Sequence, residues 1–180
     1  MNLEQLPAGH QIPDDINVVI EIASHSNPIK YEVDKNSGML MVDRFIETCM
    51  HYPCEYGFIP QTLSEDGDPV DVLVVTPFSL APGVIIRCRP VGMLLMTDES
   101  GIDTKILAVP VDKLSTRYQS IHKPEDLGIK FLASIEHFFQ HYKDLEKGKW
   151  VKTNGWENAD AAKKEILAGV EKFKKESGAA

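Results

Sequence analysis

The sequence predicts an α+β fold, mainly β, in which a series of short strands is followed by two main helices. From residue 16 to about 110, runs of β-branched and apolar residues are cut at short intervals by Gly, Pro, Asn and Asp, the punctuation of strands and tight turns. After Pro124 the apolar spacing changes to three and four, the period of a helix that buries one face. No internal repeat, low-complexity tract or linker interrupts the 180 residues, so residues 1–180 are read as a single domain, long enough to bury a real core.

Residues 1–15, with Pro7, Gly9 and Pro13, read as an irregular lead-in. Ile16 to Ile22 is a β-branched-rich strand interrupted by Glu21, which is costly if both faces are buried and unremarked on a solvated edge; the sequence leaves both open. Residues 28–34 form a second strand, whose period of two sets Lys30, Glu32 and Asp34 on one face and Ile29, Tyr31 and Val33 on the other. Asn36-Ser37-Gly38 turns it into a hairpin with residues 39–45, in which Arg44 needs an anionic partner. Pro53 forces Tyr52 extended. Tyr52 and Tyr56 read either as core residues with a wet hydroxyl or as O–H donors to a ligand.

Asp66-Gly67-Asp68-Pro69-Val70-Asp71 is a rigid turn feeding a strand that runs from Asp71 to Pro77. Pro82-Gly83 turns into a long strand over 84–96, with Arg87 and Arg89 on one solvated face. Residues 97–105 are a hairpin tip: Asp98 closes one strand, and Asp103 and Lys105 open the next on a shared face. Ile129, Leu132, Ile135, Phe138, Phe139 and Tyr142 mark an amphipathic helix over 128–143. Residues 148–156 read as loop. Asn158 then caps a last helix whose inner face carries Ala162, Ile166, Val170 and Phe173, with Asp160 early and Lys174 and Lys175 late, as the helix dipole prefers.

A formal net charge of −8 argues against a surface that grips nucleic-acid phosphates, and suits one that collects cations. The start Met-Asn-Leu-Glu-Gln shows neither a basic nor an apolar region, so no secretory signal is expected, and no apolar run approaches the ~18 residues of a membrane span. Cys49, Cys54 and Cys88 are odd in number without a C-x-x-C pair, which fits free thiols and a cytoplasmic location.

Three carboxylates in the six residues 66–71 repel: two unit charges roughly 5 Å apart cost about 3 kcal/mol at an effective dielectric of 20. Further acids arrive at other strand ends (Glu21, Glu32, Asp98, Asp103), accompanied by the cations Lys30, Arg44, Lys105 and Lys143 and the hydroxyls of Tyr52, Tyr56 and Tyr142. Hard oxygen donors without paired His or Cys select Mg²⁺ or Mn²⁺, and the positions of Gly67 and Asp71 exclude an EF-hand. Acids and bases together suit a polyanion bound through metals, a phosphate or polyphosphate. His137 and His141 stand at i and i+4, but Glu136 precedes the pair, so this is not H-E-x-x-H; they read as exposed or interface histidines. No Ser, Cys or His stands in a triad-like setting, which points away from a covalent step.

The acidic hexapeptide resembles the signature of the soluble family I inorganic pyrophosphatases of bacterial type. Residues 29–32, 42–45, 52–57, 87–92, 96–99 and 141–146 also resemble family segments, in family order. The resemblance implies a five-stranded, OB-fold-like closed barrel with the two helices packed against it, and hydrolysis of pyrophosphate to two orthophosphates by direct attack of a water or hydroxide activated between two Mg²⁺ ions. It implies several Mg²⁺ per active site, with Mn²⁺ or Zn²⁺ as substitutes. Asp66, Asp71 and Asp103 would hold the first metal, with Asp71 shared by the second; Asp98 and Asp103 would bind a third and Glu32 a fourth. Asp68 would be the general base. Lys30, Arg44, Tyr56, Lys105, Tyr142 and Lys143 would grip the phosphates, with Glu21 and Tyr52 in support. A homohexamer is implied, with His137 and His141 near a subunit contact. Rival readings are a non-catalytic OB-type nucleic-acid module, a structural Ca²⁺ module, and a metal-dependent hydrolase of another small phosphate ester.

Overall fold

The computed structural model describes residues 5–34 and 37–178. The first four residues of the lead-in and Asn36 of the expected turn lie outside the described residues. The strands are β1 (Gly9–Gln11), β2 (Asp15–Ile22), β3 (Ile29–Val33), β4 (Leu40–Phe45), β5 (Glu55–Phe58), β6 (Asp71–Val74), β7 (Ile85–Asp98), β8 (Gly101–Ile102), β9 (Lys105–Pro110) and β10 (Val151–Asn158); the helices are α1 (Ile129–His141) and α2 (Ala159–Ser177).

Five strands close on themselves. The order β2-β5-β6-β9-β7 is completed by pairing of β7 back to β2, which makes a ring. Only the β6–β9 contact in that ring is parallel. β1 adds beside β2, while β8 and β10 pair with β7. The hairpin β3–β4 is a separate two-stranded sheet that pairs with none of the ring strands.

Neighbouring residues of one strand enter different cores. Leu73 and Leu107 join Ile135, Phe138 and Phe139 of α1, whereas Val72, Val74, Ile106 and Ala108 join Ala162 and Ile166 of α2. Both faces of these strands are therefore dry, which is why Val72-Leu73-Val74 and Ile106-Leu107-Ala108-Val109 are continuous apolar runs rather than alternating ones. Each fully buried Leu or Ile stabilises by roughly 1.5–3 kcal/mol relative to exposure. Gly57 permits the close crossing of β5 on β2, since a Cβ there would lie 1.9 Å from the Val19 carbonyl oxygen.

Three expectations are corrected. Residues 148–156 are not all loop: Val151–Asn158 is β10, paired with β7 through Val151↔Asp98 and Trp156↔Leu94. Its polar sequence and the register shift between Thr153 and Trp156 erase the alternation that would have marked it. The lead-in contains β1, held by pairing to β2 rather than by any apolar period. Ile129 does not join the inner face of α1; it is the first helical residue and is 79% exposed. Arg87 and Arg89 do stay outside the site, Arg87 Nε donating to Asp15 (3.1 Å) and Arg89 Nη1 to the Ile121 carbonyl (2.7 Å).

Candidate active site

The acidic turn is pinned from three sides. Gly67 takes φ +88°, a conformation that side chains with a Cβ rarely adopt. The Asp68 N–H donates to Asp66 Oδ1 (3.0 Å), and Ser64 N–H to the Asp68 carbonyl (2.7 Å). At its base, buried Thr62 accepts from Val70 N–H (2.9 Å) and donates to the Ile59 carbonyl (2.6 Å). From α2, Lys172 Nζ donates to the Ser64 carbonyl (2.6 Å). The turn thus delivers exposed Asp66 and Asp68 at a rim and Asp71 at the first residue of β6.

Next to β6 in the ring, β9 begins with Lys105, whose side chain is 4% exposed. Its ammonium bonds the carboxylates of both Asp71 and Asp103, the latter at 2.5 Å, and lies 5.5 Å from the Tyr56 ring centre. Burial works against a charge there, but the two carboxylates outweigh it and hold the ammonium above its ordinary pKa. For Asp71 burial wins, and its carboxyl is raised although Lys105 opposes the shift.

The end of β7 supplies Asp98. Burial would raise its carboxyl, but the Lys143 hydrogen bond (2.8 Å) and the Ser100 N–H prevail and hold it below the usual range. Lys143 follows α1, one residue after Tyr142, whose ring stacks on Phe138 at 5.1 Å. Tyr52, Tyr56 and Tyr142 are buried to 2–8% exposure, and burial raises all three phenols, so each keeps its proton and can donate it. Tyr52 and Tyr56 are both core residues and residues that line the cavity.

The hairpin β3–β4 forms another wall. Lys30 and Glu32 pair with each other there, and Arg44 Nη1 donates to Asp43 (2.8 Å). Glu21 on β2 is 7% exposed and accepts the Val33 N–H (2.8 Å), so it is a buried acid rather than an edge residue. Burial, assisted by Asp71 and Glu32, pushes its carboxyl up to about 8.

These side chains surround one cavity of about 380 Å³, and every site residue expected from the sequence lines it. Sequence reading missed Glu99, Ser100, Ile102 and Lys149, which also face it. Lys149 follows Gly148 in what read as featureless loop; its nearness to Glu146 (3.4 Å) is a contact at i, i+3 that could have been sought. His137 and His141 stay outside, exposed on α1 with ring centres 4.6 Å apart, and Asp144 lies 2.8 Å from His141 Nδ1.

Eight carboxylates and five cationic side chains line the cavity, so negative charge is in excess. Among the described residues no three acids converge closely enough to clasp one ion; Asp71, Asp103, Asp98 and Glu32 each lean on a lysine instead. The lysine between Asp71 and Asp103 occupies a place that favours a cation, and the surrounding donors are oxygens without His or Cys. That donor set fits hard divalent ions such as Mg²⁺.

Comparison with known proteins agrees with this chemistry. Residues 18–174 match the family described as inorganic pyrophosphatase. The chain is 62% identical over 175 residues to the inorganic pyrophosphatase of Salmonella typhimurium, covering 97% of this chain and 99% of the relative. Its structure superposes with a TM-score of 0.93 on an inorganic phosphatase from Anaplasma phagocytophilum (49% identity, 94% and 99% of the two chains), and of 0.91 on an inorganic pyrophosphatase from Coxiella burnetii (51% identity, 94% and 100%).

Proposed function

Since the chain belongs to the inorganic pyrophosphatase family, we propose that this cavity binds pyrophosphate and hydrolyses it to two orthophosphates by direct attack of water. The observation that carries the reading is the meeting of excess carboxylate with lysine, arginine and tyrosine donors in one cavity, on a chain whose relatives of matching length are pyrophosphatases.

Asp66, Asp71 and Asp103 would hold one divalent ion, with Asp71 shared by a second; Asp98 and Asp103 would serve a third, and Glu32 one that arrives with substrate. Mg²⁺ is the ion proposed, and when bound it supplies neutralisation of phosphate oxygens and acidification of the attacking water. The remaining work falls to the chain. Asp68 Oδ takes the proton from the attacking water as general base. Lys30, Arg44, Lys105 and Lys143 offset the charge of the phosphate oxygens, and the Tyr56 and Tyr142 hydroxyls donate to them. Glu21 and Tyr52 support the site, Glu21 by holding the backbone of β3 at Val33.

Residues 1–180 act as one domain in this reading. The assembly proposed is a homohexamer in which the exposed His137, His141 and Asp144 group meets a second copy. A cytoplasmic setting is supported by free Cys49, Cys54 and Cys88. No helix of the described residues is long and apolar enough to cross a membrane.

Asp68→Asn tests the base role. It keeps the shape of the turn and removes the proton acceptor, so phosphate release should fall by about 10²–10⁴-fold while pyrophosphate binding is little changed. Wild-type turnover in this variant would remove Asp68 from that role.

A further inference from the structure

We propose that Glu146 is a positioning residue that fixes the Arg44 guanidinium toward the phosphates, an inference that rests on the proposed pyrophosphate site. Arg44 is borne by β4, in the one sheet that pairs with none of the ring strands, so strand pairing alone does not fix its distance from Lys105, Tyr142 and Lys143. Glu146 is borne by the turn that follows α1. Its N–H donates to the Lys143 carbonyl (2.9 Å), so it belongs to the same turn that presents Tyr142 and Lys143.

The two meet across 102 residues of sequence separation. Arg44 Nε lies 3.4 Å from Glu146 Oε1 and 3.3 Å from Oε2. The Glu146 side chain is 13% exposed, little screened by water, and Lys149 Nζ approaches its Oε2 at 3.4 Å. Glu146 takes the Nε edge of the guanidinium and Asp43 takes Nη1 (2.8 Å). Among the described residues, Nη2 has no hydrogen-bond partner. A guanidinium is a rigid planar fork, so fixing one edge aims the other. With Nε and Nη1 engaged, Nη2 is the nitrogen left to donate to a phosphate oxygen. Lys149 keeps the carboxylate charge compensated while it does this.

Positioning and competition make opposite predictions. If Glu146 aims Arg44, Glu146→Ala lets the side chain wander: KM for Mg-pyrophosphate rises about tenfold with kcat within about threefold. Glu146→Asp should recover part of the loss, and Glu146→Ala should add almost nothing in an Arg44→Ala background. The Kd for methylene diphosphonate, which is not cleaved, should move with KM. Thermal unfolding of each variant, run alongside, confirms that the fold persists. An unchanged or lowered KM in Glu146→Ala, which would mean a bystander or a carboxylate competing with phosphate, overturns the proposal, as does full additivity with Arg44→Ala. Wild-type protein inactive on pyrophosphate would instead sink the functional reading itself, so the two failures are separable.

Discussion

Lys105→Met removes one charge from the middle of the cavity and nearly preserves volume. The ammonium is 4% exposed and bonds Asp71 and Asp103, whose side chains are 22% and 18% exposed. Removing one partner of a buried ion pair costs about 3–5 kcal/mol. Both carboxylates keep some access to water, so the lower end applies, about 3 kcal/mol. That cost is comparable to mutual repulsion: two carboxylates roughly 5 Å apart oppose each other by about 3 kcal/mol at an effective dielectric of 20. A divalent cation entering between them would relieve it. Urea unfolding followed by circular dichroism should therefore find the variant about 3 kcal/mol less stable than wild type in EDTA. At saturating Mg²⁺ the deficit should shrink to about 1 kcal/mol, because the ion gains more in the variant than in the wild type. Equal stability in EDTA, or a deficit that Mg²⁺ leaves untouched or widens, would refute the idea that these acids are held together by positive charge.

Further consequences concern the walls of the site and the frame. Burial raises Glu21 from 4.5 to about 8, so between those values the folded chain keeps a proton that the unfolded chain has lost. Stability must then fall as pH rises through that window, by about 5 kcal/mol in the metal-free protein. Glu21→Gln should lack this fall; parallel pH profiles for the two proteins in chemical denaturation would contradict it. Gly57→Ala places a methyl group against the Val19 carbonyl and should cost about 3 kcal/mol, read as a lowered thermal midpoint. Asn158→Ala removes the bond from Ala161 N–H to Asn158 Oδ1 (3.0 Å) and should cost about 1 kcal/mol, with α2 fraying first in hydrogen exchange.

What could be read from the chain alone was whatever a local rule controls. The helices announced themselves through the spacing of Leu132, Ile135, Phe138 and Phe139 and through the Asn158 cap, and both are present. The hairpin β3–β4 followed from alternation and its Gly38 turn, which closes with Gly38 N–H on the Asp34 carbonyl (2.8 Å). Features set by distant partners were not legible. β10 is polar, and only its pairing with β7 makes it a strand. Whether Glu21 was buried depended on β3 crossing above it. Lys149 and Glu146 gained their places from a turn whose course no periodicity describes. The residues expected at the site, by contrast, could be named because repelling acids in a six-residue turn need an explanation and the resemblance to a family extended it to the other segments; all of them line one cavity. The closed ring came from that resemblance too, and it is what the strand pairing shows.

The most direct measurement is release of orthophosphate from pyrophosphate by the purified full-length chain, with Mg²⁺ or with chelator, beside ATP and a phosphomonoester. The account predicts rapid release from pyrophosphate with Mg²⁺, little from the other two substrates, and none once the metal is withdrawn. Folded, Mg²⁺-saturated protein that leaves pyrophosphate intact, or that cleaves it equally well in chelator, would contradict it.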